Sequence, residues 1–108
     1  MGLVGQTGIT AYSVSKGALV SMARSLALEL AREGIRVNCV APGVVQTPMA
    51  ENAEQKLTPE QHQALEGLHP LGMGTPRDVA YAVAYLLAQT GRWITGTTLV
   101  IDGGYTAQ

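Results

Sequence analysis

Tyr12 and Lys16 stand four residues apart in the stretch Ala11-Tyr12-Ser13-Val14-Ser15-Lys16-Gly17. On a helix that spacing puts both side chains on one face. A free phenol holds its proton until about pH 10 and is a poor base at neutrality. A nearby ammonium stabilises the phenolate. Such a pair can hand a proton to a carbonyl oxygen or take one from an alcohol. The spacing alone occurs in many helices by chance, so its meaning depends on what surrounds it.

The remaining reactive residue types read more plainly. His62 and His69 have no Cys, His or carboxylate at metal-ligand spacing, so they are expected to be surface histidines and no metal site is expected. Cys39, the single cysteine, cannot form an intrachain disulfide and sits in a strand pattern, where small apolar packing is its expected role. Ser13 and Ser15 lack a neighbouring His and acid, so a serine-hydrolase triad is not expected. Trp93 and Tyr105 flank the last apolar run and are expected to pack, and Asp102 precedes two glycines as a turn residue.

The elements that must hold these residues follow from periodicity. From Ala11 to Glu33 there is no proline, one internal glycine, and a stop at Gly34. That predicts a helix over 11–33, about 35 Å long. Val14, Ala18, Leu19, Met22, Ala23, Leu26, Ala27 and Leu30 recur at helical spacing, and Val20 and Leu28 widen the stripe. A stripe so wide predicts burial against two partners. Ile35 to Ala41 reads as a short buried strand ending at Pro42-Gly43, and residues 43–57 as a loop with weak helical character. Thr58-Pro59-Glu60-Gln61 is a capping box opening a short helix towards Gly67. Thr75-Pro76-Arg77-Asp78 repeats the device, opening a helix whose Val79, Ala82, Val83, Leu86 and Leu87 face inward. Thr97 to Ile101 reads as a second strand.

This order predicts an α/β fold: a parallel strand pair with helical cover, residues 1–108 forming one domain. Two strands make a narrow parallel sheet. The strand 35–41 is left with an open edge and the helix 11–33 with uncovered apolar surface. Both are expected to be completed by oligomerisation.

Composition bounds the function. Of 108 residues 46% are hydrophobic and 14% charged, which excludes intrinsic disorder. A net charge of −1 leaves no surplus of Lys and Arg for a nucleic-acid surface. No apolar run approaches the ~20 residues of a membrane span. Met1-Gly2-Leu3-Val4-Gly5-Gln6 lacks the pattern of a secretory signal, and Gln6 stands where a myristoylation motif wants Ser or Thr. A cytoplasmic protein is the expectation.

Three segments give the Tyr-Lys pair its context. Gly8-Ile9-Thr10-Ala11-Tyr12-Ser13-Val14-Ser15-Lys16-Gly17-Ala18-Leu19 resembles the active-site segment of the short-chain dehydrogenase/reductase family. Gly34-Ile35-Arg36-Val37-Asn38-Cys39-Val40-Ala41-Pro42-Gly43, followed by Thr47, resembles the family's next strand, and Ile94-Thr95-Gly96-Thr97 through Asp102-Gly103-Gly104-Tyr105 resembles its last. The three stand in the family's order and cover essentially the whole chain.

The resemblance implies a partial Rossmann-like fold and an NAD(P)-dependent oxidoreductase. It implies Tyr12 as catalytic acid/base, Lys16 as the residue that favours its phenolate and holds the ribose hydroxyls, and Pro42, Gly43, Val45 and Thr47 around the nicotinamide. Thr47 would bond the carboxamide or the diphosphate, and residues 48–70 would form the substrate lid. The family's Gly-rich dinucleotide loop has no counterpart: Gly2-x-x-Gly5-x-x-Gly8 has the wrong spacing and reads as a flexible loop. The family's active-site serine falls upstream of Met1, and Thr7 or Thr10 would take its place by proximity alone. The chain thus resembles a C-terminal half.

Two function classes stand at this point. One is an oxidoreductase for carbonyls or secondary alcohols, inactive alone or dependent on assembly as a homo-oligomer or with a complementary N-terminal half. The alternative is a non-catalytic, self-associating structural protein derived from such an enzyme.

Overall fold

In the computed structural model, which describes Gly8 and residues 10–107, two parallel strands are paired across a long helical crossover. β1 (Cys39–Pro42) and β2 (Thr98–Ile101) run in register Cys39↔Thr98, Val40↔Leu99, Ala41↔Val100 and Pro42↔Ile101. Parallel strands need a crossover of a dozen residues or more. Here it holds three helices, α2 (Pro48–Glu54), α3 (Pro59–Gly67) and α4 (Pro76–Leu87), and α1 (Thr10–Leu30) precedes β1. The architecture is α/β with a two-stranded parallel sheet, as expected. Gly2, Gly5 and Thr7, discussed above, lie outside the described residues.

β1 begins four residues later than Ile35. Residues 35–38 run beside residues 94–97, but side chains replace part of the ladder. Asn38 Nδ2 donates to Ile94 O (2.9 Å) while Asn38 Oδ1 accepts from the Thr97 N–H (3.1 Å). The Val37 N–H donates to Thr95 Oγ1 (3.1 Å), and Arg36 Nη1 donates to Ile94 O (3.2 Å).

α1 is shorter than 11–33 because its last turn tightens into a 3₁₀ segment, Ala31–Glu33, closed by Gly34 at φ 73°. Ala23 and Ala27 are its buried residues. Ala27 lies where a Cβ on Gly96 would come within 3.4 Å, so two small residues let the helix approach the start of β2. Val20, Leu26 and Leu30 are half-buried and the rest of the stripe is uncovered, Val14 being 66% exposed and Leu28 81%.

Every crossover helix starts on Thr-Pro. Thr58 and Gln61 form the predicted capping box (Gln61 N–H to Thr58 Oγ1, 3.3 Å; Thr58 N–H to Gln61 Oε1, 2.9 Å). At Thr75 both the backbone N–H (2.7 Å) and the hydroxyl (2.6 Å) donate to Asp78 Oδ2. Those bonds hold the Asp78 carboxyl below its ordinary range, the Thr75 side chain contributing most. The helix α2, expected as loop, uses the same start: Thr47 Oγ1 accepts from the Ala50 N–H (3.2 Å) and Pro48 occupies the first turn.

In α4, Leu86 is buried, but Leu87, expected to face inward, is largely exposed. The backbone leaves the helix at Ala88, where ψ is 176°. Trp93 is a second correction: it is 89% exposed rather than packed. It stands at the mouth of a groove of about 600 Å³ between the ends of α1 and α4, beside Arg36 and Arg92.

Among the described residues the buried apolar set is Ala23, Ala27 and Leu86. The chain exposes 7764 Å², where a compact protein of its mass exposes about 5,700 Å². Its radius of gyration is 15.6 Å against about 13 Å for a compact domain of this length. Among the described residues no helix is long and apolar enough to cross a membrane.

Candidate active site

The carboxyl ends of both strands open into a cleft of about 530 Å³. In open α/β sheets ligands bind beyond those ends. Three elements build the walls. The first turns of α1 supply Tyr12 and Lys16, the end of β1 and the loop after it supply Pro42, Gly43 and Val44, and the end of α3 with the two residues after it supplies Leu65, Leu68 and His69. Asp102 and Tyr105, on the turn after β2, close the bottom.

The helical spacing brings Lys16 Nζ to 5.1 Å from the centre of the Tyr12 ring. Tyr12 is about half exposed, and its backbone carbonyl accepts from the Ser15 hydroxyl (2.7 Å) within the same turn. Lys16 is half-buried and faces no carboxylate within ion-pair distance among the described residues.

Gly43 is a steric requirement. A Cβ there would lie 2.9 Å from Asp102 Cα and 3.0 Å from Asp102 Cβ. Its N–H donates to Ile101 O (3.0 Å), extending the ladder one step beyond β1. Asp102 is the turn residue expected: Oδ1 accepts from the Gly104 N–H (3.0 Å), and Oδ2 accepts from the Thr106 N–H (2.9 Å) and hydroxyl (2.7 Å). These bonds, the Thr106 side chain foremost, hold the Asp102 carboxyl below the usual carboxylate range.

Of the residues singled out in the sequence, Tyr12, Lys16, Pro42 and Gly43 meet at this cleft. Val45 and Thr47 do not line it. Val45 pairs with Gly74 in an isolated parallel bridge, and the Thr47 hydroxyl caps α2. Cys39 is half-buried, its thiol directed at Leu19 O (3.6 Å), in keeping with packing. His62 lies near the surface, Nε2 4.0 Å from Glu54 Oε2. Among the described residues no cluster of His, Cys, Asp or Glu could hold a metal ion.

His69 corrects the expectation of a surface histidine. It is 4% exposed. Its Nδ1 lies 2.9 Å from Leu65 O, its Nε2 accepts from the Val44 N–H (3.4 Å), and its ring stacks on Tyr105 at 5.2 Å and 19°. Sequence reasoning missed it because both hydrogen-bond partners are backbone groups.

Both the sequence and the fold of this chain match known proteins. Residues 1–106 match a family model described as enoyl-(acyl carrier protein) reductase. The chain belongs to the short-chain dehydrogenase/reductase family. It is 47% identical over 96 residues to 3beta-hydroxysteroid dehydrogenase 1 of Eggerthella lenta, covering 88% of this chain and 36% of that protein. A short-chain dehydrogenase family protein from Francisella tularensis superposes with a TM-score of 0.91 at 38% identity, over 99% of this chain and 48% of the other. A 4-hydroxyisoleucine dehydrogenase complexed with NADH superposes equally well, TM-score 0.91 at 33% identity, over 99% and 44%. The chain thus spans between a third and a half of the length of the relatives it matches.

Proposed function

We propose that this chain carries the proton-transfer and nicotinamide-facing part of an NAD(P)-dependent oxidoreductase acting on a carbonyl or secondary alcohol. The observation that carries this reading is the meeting of Tyr12 and Lys16 with Pro42 and Gly43 in one cleft. When bound, the nicotinamide supplies hydride to the carbonyl carbon or accepts it from the alcohol. The Tyr12 phenol gives its proton to the carbonyl oxygen in one direction and, as phenolate, takes it back in the other. Lys16, whose Nζ stands 5.1 Å from the centre of the Tyr12 ring, holds the ribose hydroxyls. Pro42, Gly43 and Val45 are assigned to the nicotinamide. Thr47 is assigned to its carboxamide or the diphosphate, through the hydroxyl that otherwise caps α2. Residues 48–70 serve as the substrate lid.

No described segment offers a Gly-rich phosphate cradle, and most of a dinucleotide's contacts must come from elsewhere. Hydride transfer tolerates little misplacement. The reading therefore includes assembly, either with a complementary half or as a homo-oligomer through α1 and the free edge of β1. The surface in excess of a compact monomer's supports that requirement, and the free thiol of Cys39 fits a reducing compartment such as the cytoplasm.

Titration of the purified chain with NADH and NADPH by fluorescence tests this reading. Saturable micromolar binding, weakened about 10- to 100-fold in Lys16→Ala as for the loss of charged hydrogen bonds, is expected. Absence of binding at millimolar cofactor, both alone and with a separately supplied upstream half of a relative, would overturn it. A self-associating, non-catalytic role is the second reading, favoured by the exposed stripe of α1. Light scattering that shows only monomer at high concentration removes it.

A further inference from the structure

We infer that His69 is a positioning residue: in a single neutral tautomer it fastens the α3 wall of the cleft to the loop Pro42–Val44. The inference rests on the oxidoreductase reading for what the cleft is for, and on geometry alone for the fastening. His69 is the one buried polar side chain among the described residues. A carbonyl oxygen can only accept, so the 2.9 Å approach of Nδ1 to Leu65 O places a proton on Nδ1. A backbone N–H can only donate, so the Val44 N–H at 3.4 Å requires a bare lone pair on Nε2. The two bonds together select the Nδ1–H form over the other neutral tautomer.

Three chain segments meet at the ring. Leu65 and Leu68 belong to the lid wall, and Val44 follows Gly43 at the nicotinamide-facing loop. Tyr105, stacked on the ring, belongs to the turn after β2. The Leu71 N–H donates to Gly103 O (3.0 Å), tying the residues just after His69 to that same turn. The other face of the loop is already held, since Val44 O accepts from the Gly74 N–H (3.0 Å) and the Gln46 N–H donates to Gly74 O (2.8 Å). The Val44 N–H is bonded to a side chain instead. His69 secures it and thereby sets the distance between the lid wall and the loop opposite.

The test reads the fastener directly. In the wild-type chain, long-range ¹⁵N–¹H spectra should show His69 protonated at Nδ1 and bare at Nε2. Hydrogen exchange at the Val44 amide should speed by roughly 2- to 10-fold in His69→Phe, the usual worth of one hydrogen bond. That variant keeps a ring against Tyr105 and loses both bonds. His69→Gln places a carbonyl oxygen near the Nε2 position and should restore Val44 protection while leaving Leu65 O without its donor. Affinity for NADH should follow Val44 protection across the three proteins. The inverse tautomer in the wild type, or Val44 exchange unmoved by His69→Phe, would overturn the inference; the tautomer measurement needs no variant to fold. Wild type that shows the tautomer and the Val44 response but binds neither cofactor supports the fastener and counts against the oxidoreductase reading alone.

Discussion

Two glycine-to-alanine changes in this chain should move stability in opposite directions. At Gly43 the added Cβ would meet Asp102 Cα at 2.9 Å, Asp102 Cβ at 3.0 Å and Asp102 O at 3.2 Å. Carbon atoms settle at about 3.5–4.0 Å, so the two chains must part by roughly 0.5–1 Å. Neither side yields freely. Gly43 is bonded to Ile101 O, and the Asp102 carboxylate is held by Gly104 and Thr106. Overpacking of this kind costs about 1–3 kcal/mol, and each kcal/mol lowers Tm by about 4–8 °C in a chain of this size. At Gly67, in the last turn of α3, nothing lies within 4 Å of the same Cβ and φ is not positive. There the substitution removes a flexible helix residue and should stabilise by about 0.5–1 kcal/mol. Urea unfolding followed by far-UV circular dichroism gives both values from one pair of variants. Equal midpoints for Gly43→Ala and Gly67→Ala would refute the claim that close approach of the β1 loop to Asp102 dictates glycine at 43.

Asp102→Asn should lower stability at neutral pH by about 0.5–1.5 kcal/mol, allowing for solvent around the group. The folded carboxyl is held below its unfolded value, so its contribution is full above pH ~4 and fades as pH falls through the folded value; acid titration of unfolding should show variant and wild type converging at the acid end. Ala27→Leu should cost about 1–3 kcal/mol by forcing α1 away from Gly96, and an unchanged urea midpoint would show that the helix approach has slack. Leu28→Glu should leave the chain's own stability within about 0.5 kcal/mol, because that side chain is exposed, yet shift any oligomer towards monomer in light scattering.

Local chemistry made much of this fold readable. The Thr-Pro starts at Thr58 and Thr75 announced their helices because capping depends on residues three apart. Thr47-Pro48 carries the same signal for α2. The start of β1 was misplaced because Asn38 and Arg36 take over bonds that a ladder would make, and alternation of apolar residues says nothing about such exchanges. Tyr12 and Lys16 were legible since a helix fixes their relation within one turn. His69 was not, for its partners are the carbonyl of Leu65 and the amide of Val44, 25 positions away. Leu87 and Trp93 carry the apolar character of core residues, but they sit where the backbone turns away from the sheet, which periodicity alone cannot register.

The pairing of β1 with β2 joins residues 59 positions apart, Cys39 with Thr98 among them. During synthesis, at about 5–20 residues per second, the first strand must wait roughly 3–12 s for its neighbour. Throughout that interval α1 can form by itself, while the strand's hydrogen-bonding groups and the apolar stripe behind it stand open to any extended chain nearby. Charges flanking the strand at Arg32, Glu33 and Arg36 are its local defence against premature pairing.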